Sequence, residues 1–207
     1  MITGGGGPNN FYEVNTHDTS SHNNYIDKIY YFYQVERIAV FEQNMKVLRF
    51  YNARDLKHLK DHTLPNVIVA LEYIHEKNII VIALSDRSLL FHDINTFKQF
   101  RKLQLPYSQR CMCYVRRKRC LFSGSISGII FAWDLDKLFN NEQWERYQKQ
   151  KDKSDYSYFL TEGTPWFDKE TILCLIDIPN LNLLASTSLH KNILLWDLRI
   201  SYLAAAD

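Results

Sequence analysis

The sequence predicts an all-β fold assembled from repeats of one antiparallel, four-stranded unit. Three observations carry this. Leu183–Arg199 holds two apolar strands, Leu183–Ser188 and Ile193–Trp196, around the polar turn Leu189–Asn192. Alternation within each strand leaves one apolar face. The same pattern recurs at Cys120–Leu135, at Ile79–Ile94 and, degenerate, at Arg37–Leu56. The closing dipeptides are Trp196-Asp197, Trp133-Asp134, His92-Asp93 and Tyr51-Asn52, and their second residues fall 41, 41 and 63 positions apart. Finally, hydrophobic residues make up 46% of the 207 positions and aromatic ones 14%, mostly Tyr and Phe, a composition that suits strands around a core.

In chain order, residues 1–24 read as a flexible segment rich in Gly, Asn, Ser, Thr and His, with the first ten residues mobile. Phe11–Val14 is a short strand that completes a sheet at the other end of the chain. Repeats fill 25–207. The first unit reads Ile29–Val35, Arg37–Phe41, Val47–Tyr51 and Leu56–Lys60, with Asn44 in a turn that tolerates a left-handed residue. The second reads Val67–Tyr73, Ile79–Leu84, Leu89–His92 and Phe97–Leu103. The third reads Met112–Val115, Cys120–Ser125 and Ile129–Trp133. Its outer strand is displaced by an insertion of about 22 residues beyond the usual period. The fourth reads Ile172–Ile176, Leu183–Ser188 and Ile193–Trp196, with Ser201–Ala206 the sole source of an outer strand.

The insertion, near 138–157, is helical. Asn140 followed by Gln143 fits an N-terminal cap, and Trp144, Tyr147 and Lys151 share one face at helical spacing. Two readings stand: a surface helix resting Trp144 on the sheets, or one projecting to a partner with Trp144 as anchor.

The formal charge of +2 implies no global attraction to nucleic acid or membrane. Met1–Pro8 lacks the apolar core of a secretory signal, and the longest apolar run, Ile79–Leu84, is too short to cross a bilayer. Four Cys do not make a disulfide framework in a chain this long, which favours a reducing, cytoplasmic setting. Cys111, Cys113 and Cys120 lack a second pair or a His cluster to complete a tetrahedral metal set, and read, like Cys174, as small buried strand residues. No motif for a cofactor, a phosphate or a metal is present, so none is expected.

The repeated Trp-Asp closures and the 41-residue period resemble WD40 repeats, the blades of a β-propeller. That resemblance implies a polar network inside each blade, joining a His, a Ser, a turn Asp and the Trp. Its members here are His62 and Asp86 in the second blade, with Leu84 and His92 replacing the Ser and Trp. In the third they are Ser125, Trp133 and Asp134, with Ser127 for the turn Asp. In the fourth they are Ser188, Trp196 and Asp197, with His190 for the turn Asp; in the first only Ser21-His22 fits. His62 and Asp86 also have the residue types of a catalytic pair, but the repeat already accounts for both as a clamp. More narrowly, Ile172–Arg199 resembles WD-repeat proteins of the ciliary axoneme that pair an EF-hand region with large propellers; no EF-hand loop occurs here. Family propellers usually have seven blades, about 280–300 residues. About four are visible, so the ring is expected to be incomplete or completed by other chain segments, with Ile193 and Leu195 facing water.

The implied function is a non-catalytic scaffold for protein–protein interactions, a cytoskeletal component of the cilium or flagellum bound to microtubule-associated axonemal complexes. The alternative is a cytosolic or nuclear adaptor of the RNA-processing or ubiquitin-ligase type. Candidate partner-binding residues are Trp144 and the basic hairpin Arg116, Arg117, Lys118 and Arg119, which is either merely solvated or a contact for an acidic surface. No aromatics interleave with it to stack bases, so nucleic acid is not expected as a partner.

Overall fold

The computed structural model describes residues 2–4, 12–14, 26–42, 44–150, 155–161 and 165–199. The expectations for Ser21-His22, for Lys151 and for Ser201–Ala206 lie outside them. The chain divides into two compact units, Met1–Thr63 and Leu64–Asp207.

The first unit opens with a two-stranded sheet, β1 (Ile2–Gly4) against β2 (Tyr12–Val14). Two expectations change here: residues 2–4 are a strand, and the strand at 12–14 pairs with them rather than with a distant sheet. A four-stranded antiparallel sheet follows, in the order β3 (Ile26–Phe32), β4 (Arg37–Glu42), β5 (Val47–Asn52), β6 (His58–Thr63). Alternation buries Phe32, Ala39, Phe41, Leu48 and Phe50, while Ile29 and Tyr31 are exposed. The outer strand starts later than its apolar pattern suggested. Asn52 Oδ1 accepts from the amides of Arg54 and Asp55, and Leu56 turns left-handed at φ 55°, so the chain cannot extend before Lys57.

The second unit holds three sheets. One is β7 (Ile68–Ile74), β8 (Ile79–Leu84), β9 (Ser88–Asp93) and β10 (Gln99–Gln104). The next is β11 (Gln109–Val115), β12 (Cys120–Ser125), β13 (Ile129–Asp134) and β14 (Trp166–Phe167). The insertion between β13 and β14 carries α1 (Leu135–Leu138) and α2 (Asn141–Gln148). The last sheet has three described strands, β15 (Ile172–Ile178), β16 (Leu183–Ser188) and β17 (Ile193–Asp197). Among the described residues no helix is long and apolar enough to cross a membrane.

The repeat is visible in backbone conformation as well as in sequence. Left-handed residues stand before each second strand (Glu36, Asn78, Arg119, Asn182) and in each turn before the third (Asn44, Arg87, Gly128, Lys191). Gly128 is required there: a Cβ would lie 2.5 Å from the carbonyl oxygen of Asp168.

Within this unit neighbouring sheets interlock. One apolar cluster joins Val81, Ala83, Leu89 and Phe91 to Met112, Leu121, Phe131 and Trp133, and takes in Trp144, Tyr147 and Phe159 of the insertion. A second joins Cys111, Val115, Phe122, Ile130 and Ala132 to Ile172, Leu175 and Leu184. Leu89 and Phe91, then Ile130 and Ala132, occupy equivalent repeat positions and are fully buried. Their counterparts in the last sheet, Ile193 and Leu195, are 69% and 58% exposed.

Candidate functional site

The Asp that ends each third strand organises the turn after it. Asp93 Oδ1 accepts from the amides of Asn95 and Thr96 at 3.0 and 2.8 Å, and Asp134 Oδ1 from those of Asp136 and Lys137 at 2.9 and 3.2 Å, which caps α1. Asp197 accepts from the Arg199 amide at 2.8 Å, and the adjoining Arg199 guanidinium holds its carboxyl down to about 2. Asn52 does the same work in the first sheet, with an amide oxygen in place of the carboxylate. A short side-chain acceptor two residues before an unpaired N–H is what these turns need.

The Trp partners differ from those the resemblance implied. Trp133 Nε1–H donates to Ser123 Oγ at 2.8 Å and Trp196 Nε1–H to Ser186 Oγ at 2.9 Å. Each Trp lies opposite Leu121 or Leu184 and reaches diagonally to the residue two further along. Ser125 instead fastens its own turn, bonding Ser127 Oγ at 2.9 Å and accepting from the Ile129 amide at 3.0 Å. Ser188 Oγ is buried with no hydrogen-bond partner among the described residues. In the second sheet the diagonal position is Ile82, which cannot accept, and the aromatic is His92, whose Nδ1 lies 3.1 Å from the Phe97 carbonyl. Asp86 takes the Ser88 amide at 3.1 Å and the Ser88 hydroxyl. His62 lies opposite Leu48 within β6, the strand that precedes β7.

The basic hairpin at Arg116–Arg119 is engaged with its neighbours. Arg116 Nε lies 2.5 Å from Glu76, in the corresponding turn of the preceding sheet, which also takes the Tyr114 hydroxyl. Arg117 forks onto both oxygens of Asp177 at 2.5 and 2.6 Å and onto Asn182 Oδ1 at 3.0 Å, in the following sheet. Arg119 pairs with Asp136 at 2.6 Å. Lys118 forms no ion pair among the described residues. The hairpin is thus a clasp across three successive sheets, and the half-buried Arg117–Asp177 pair, Nη1 against both carboxylate oxygens, is its strong member. Nearby Glu72 has no cation beside it, and burial pushes its carboxyl up to about 7.

The insertion does not project Trp144. Asn140 caps α2 by accepting from Gln143 N at 3.1 Å, as its spacing suggested. The helix then turns Trp144 (8% exposed) and Tyr147 inward against Phe159. An apolar face as wide as an indole plus a phenol gains more by joining the core than by facing water. Trp144 also covers Arg101, which the sequence reading did not single out. Its guanidinium sits between Trp144 and Phe139, 4.9 and 5.4 Å from the ring centres. The available signal was its phase: on β10 it shares a side with Leu103, a core position.

All four cysteines are free. Burial pushes the Cys113 and Cys120 thiols up to about 12, so they stay protonated and are poor nucleophiles. Cys174, expected to be buried, is exposed. Its sheet face carries Ile193 and Leu195, with no described sheet beyond it.

No family model matches the chain. No curated protein matches it either. Among solved structures, a chain of the mitotic checkpoint complex crystal structure is similar, with a TM-score of 0.60 and 16% identity over 81% of this chain and 45% of that one. The fold is all-β, of the β-propeller type. The chain therefore spans less than half the length of the solved chain it matches. Matches to 1115 solved chains mean that this fold by itself selects no partner.

Proposed function

We propose that the chain is a non-catalytic WD40 scaffold that holds other proteins in a large assembly, as a structural part of the ciliary axoneme. The observation that carries the scaffold reading is the last sheet's face. Ile193 and Leu195 stand exposed at repeat positions whose equivalents are packed in the two sheets before it, and Ile176 is exposed beside them. An apolar face of this kind packs against another surface, a further repeat or a partner. The polar groups of the repeat, by contrast, hold turns and clasp sheets, which leaves surface rather than a reacting centre as the product of the fold. The axonemal part rests on the likeness of Ile172–Arg199 to WD-repeat proteins of the axoneme.

The test is extraction of axonemes from ciliated cells expressing the tagged protein. Retention with microtubule doublets through detergent, and release at high salt, is expected. A protein found wholly in the detergent-soluble fraction overturns the axonemal reading. Co-purification with a soluble cytosolic or nuclear complex then supports the adaptor reading, which the similarity to a checkpoint-complex chain favours. Because Arg117 clasps sheets, the rim is probed at Lys118 alone: Lys118→Glu leaves the clasp intact, and unchanged retention removes this lysine from the interface.

A further inference from the structure

The outer edge of the second unit's first sheet presents a charge with no counter-ion among the described residues. Arg101 on β10 is 7% exposed. Its Nη2 donates to Asn141 Oδ1 at 2.9 Å and to the Phe139 carbonyl at 3.4 Å, while its Nη1 has no partner among the described residues. Both groups that hold it are neutral, and two aromatic rings enclose it. Lys77 approaches Phe139 as well, 5.1 Å from the ring centre, and adds a second cation with no ion pair among the described residues. A buried guanidinium without a carboxylate is costly, and a bidentate carboxylate is its natural complement.

Arg101 lines a cleft of about 420 Å³. Gln99, Lys102 and Gln104 continue the strand side of the cleft, and Tyr147 and Gln148 of α2 form the facing wall. β10 is the edge of its sheet, so its outer backbone groups face this cleft rather than another strand. One end is closed, because the Gln104 amide donates to the Tyr147 hydroxyl. The open length runs from Gln99 to Lys102 and carries a bulge at Phe100, so it is shorter than the about 13 Å of a regular four-residue strand.

We propose that this cleft binds an extended acidic segment of a partner protein, added as a strand along β10 with one carboxylate on Arg101 and a second near Lys102. Backbone pairing supplies the alignment and the two cations supply the preference for acid. The proposal deepens the scaffold reading and does not rest on the axonemal part of it, so axoneme extraction and peptide binding fail independently.

The test uses the purified chain and a blocked hexapeptide of four consecutive glutamates between two valines, whose carboxylates reach both sheet faces, followed by amide shifts in two-dimensional NMR. The peptide is expected to move the amides of Gln99–Lys102. The glutamine–valine version should bind about tenfold more weakly, as should the parent peptide with Arg101→Lys, which keeps the charge and loses the fork. Lys102→Gln, at an exposed position, should weaken binding about threefold. Equal binding of the two peptides, shifts confined to other strands, or the same shifts from sodium glutamate at matched carboxylate concentration would each overturn the proposal. If Arg101→Lys fails to fold, the peptide pair and Lys102→Gln still decide it.

Discussion

Removing the Ser123 hydroxyl isolates what a single buried hydrogen bond contributes to one blade. Trp133 is the largest fully buried side chain among the described residues, and its Nε1–H has Ser123 Oγ as its partner at 2.8 Å. Ser123→Ala strands that N–H without water, at a cost of about 1–3 kcal/mol. The same change in the next sheet, Ser186→Ala, exposes the half-buried Trp196 to solvent that replaces the bond, so its cost falls to about 0.5–1 kcal/mol. Trp133→Phe removes the donor, so the double variant Ser123→Ala/Trp133→Phe should be less damaged than the two losses added, with a coupling of about 1–2 kcal/mol. Ser125→Ala, two residues along the same face, should couple to Trp133 by less than about 0.5 kcal/mol, since Ser125 holds its own turn. Urea unfolding followed by near-ultraviolet circular dichroism measures each term. Equal losses for Ser123→Ala and Ser186→Ala, or coupling of Trp133 to Ser125 instead of Ser123, would refute the diagonal pairing.

Three further outcomes follow from the geometry. Gly124→Ala places a methyl 2.5 Å from Ile172 Cγ2 and 2.9 Å from Cys111 Sγ, where two sheets meet, and should destabilise by about 1–3 kcal/mol in the same assay. Lys191→Gly relieves a left-handed residue at φ 63° and should raise stability by about 0.5–1 kcal/mol; a loss would show that the lysine is held there by contacts. Glu72 is an acid whose folded pKa is raised to about 7 by burial, so the folded chain binds the extra proton and stability declines as pH rises from the ordinary carboxyl range through 7. Glu72→Gln should therefore match the parent near pH 4 and exceed it by about 1–3 kcal/mol at pH 8; an advantage independent of pH would point to repacking instead.

The strands were legible because alternation and a 41-residue spacing are local signals, and β8, β12 and β16 have the bounds those signals suggest. Asn140 and the acids at 93, 134 and 197 were legible for the same reason, since a cap acts within three residues of itself. What stayed hidden was long-range or degenerate. Ser123 and Ser125 lie on one face, and only the lean of the indole decides between them. The hairpin's acids, Glu76 in a turn and Asp177 near the end of β15, sit 40 and 60 residues from their arginines, and no pattern within the hairpin names them. Left-handed Glu36, Arg119 and Lys191 are invisible because nothing but the repeated backbone demands that conformation of them. Trp144 was ambiguous by nature: the helical spacing that makes an anchor also makes a core face.

The claim that successive sheets interlock in chain order is tested most directly by methyl nuclear Overhauser effects from Ile172. Effects to the Gly124 α-protons and the Cys111 side chain are predicted, since these are the groups its branch meets. Effects from Ile172 to Leu89 or Phe91, with none to Gly124, would contradict the stacking order and the repeat architecture built on it.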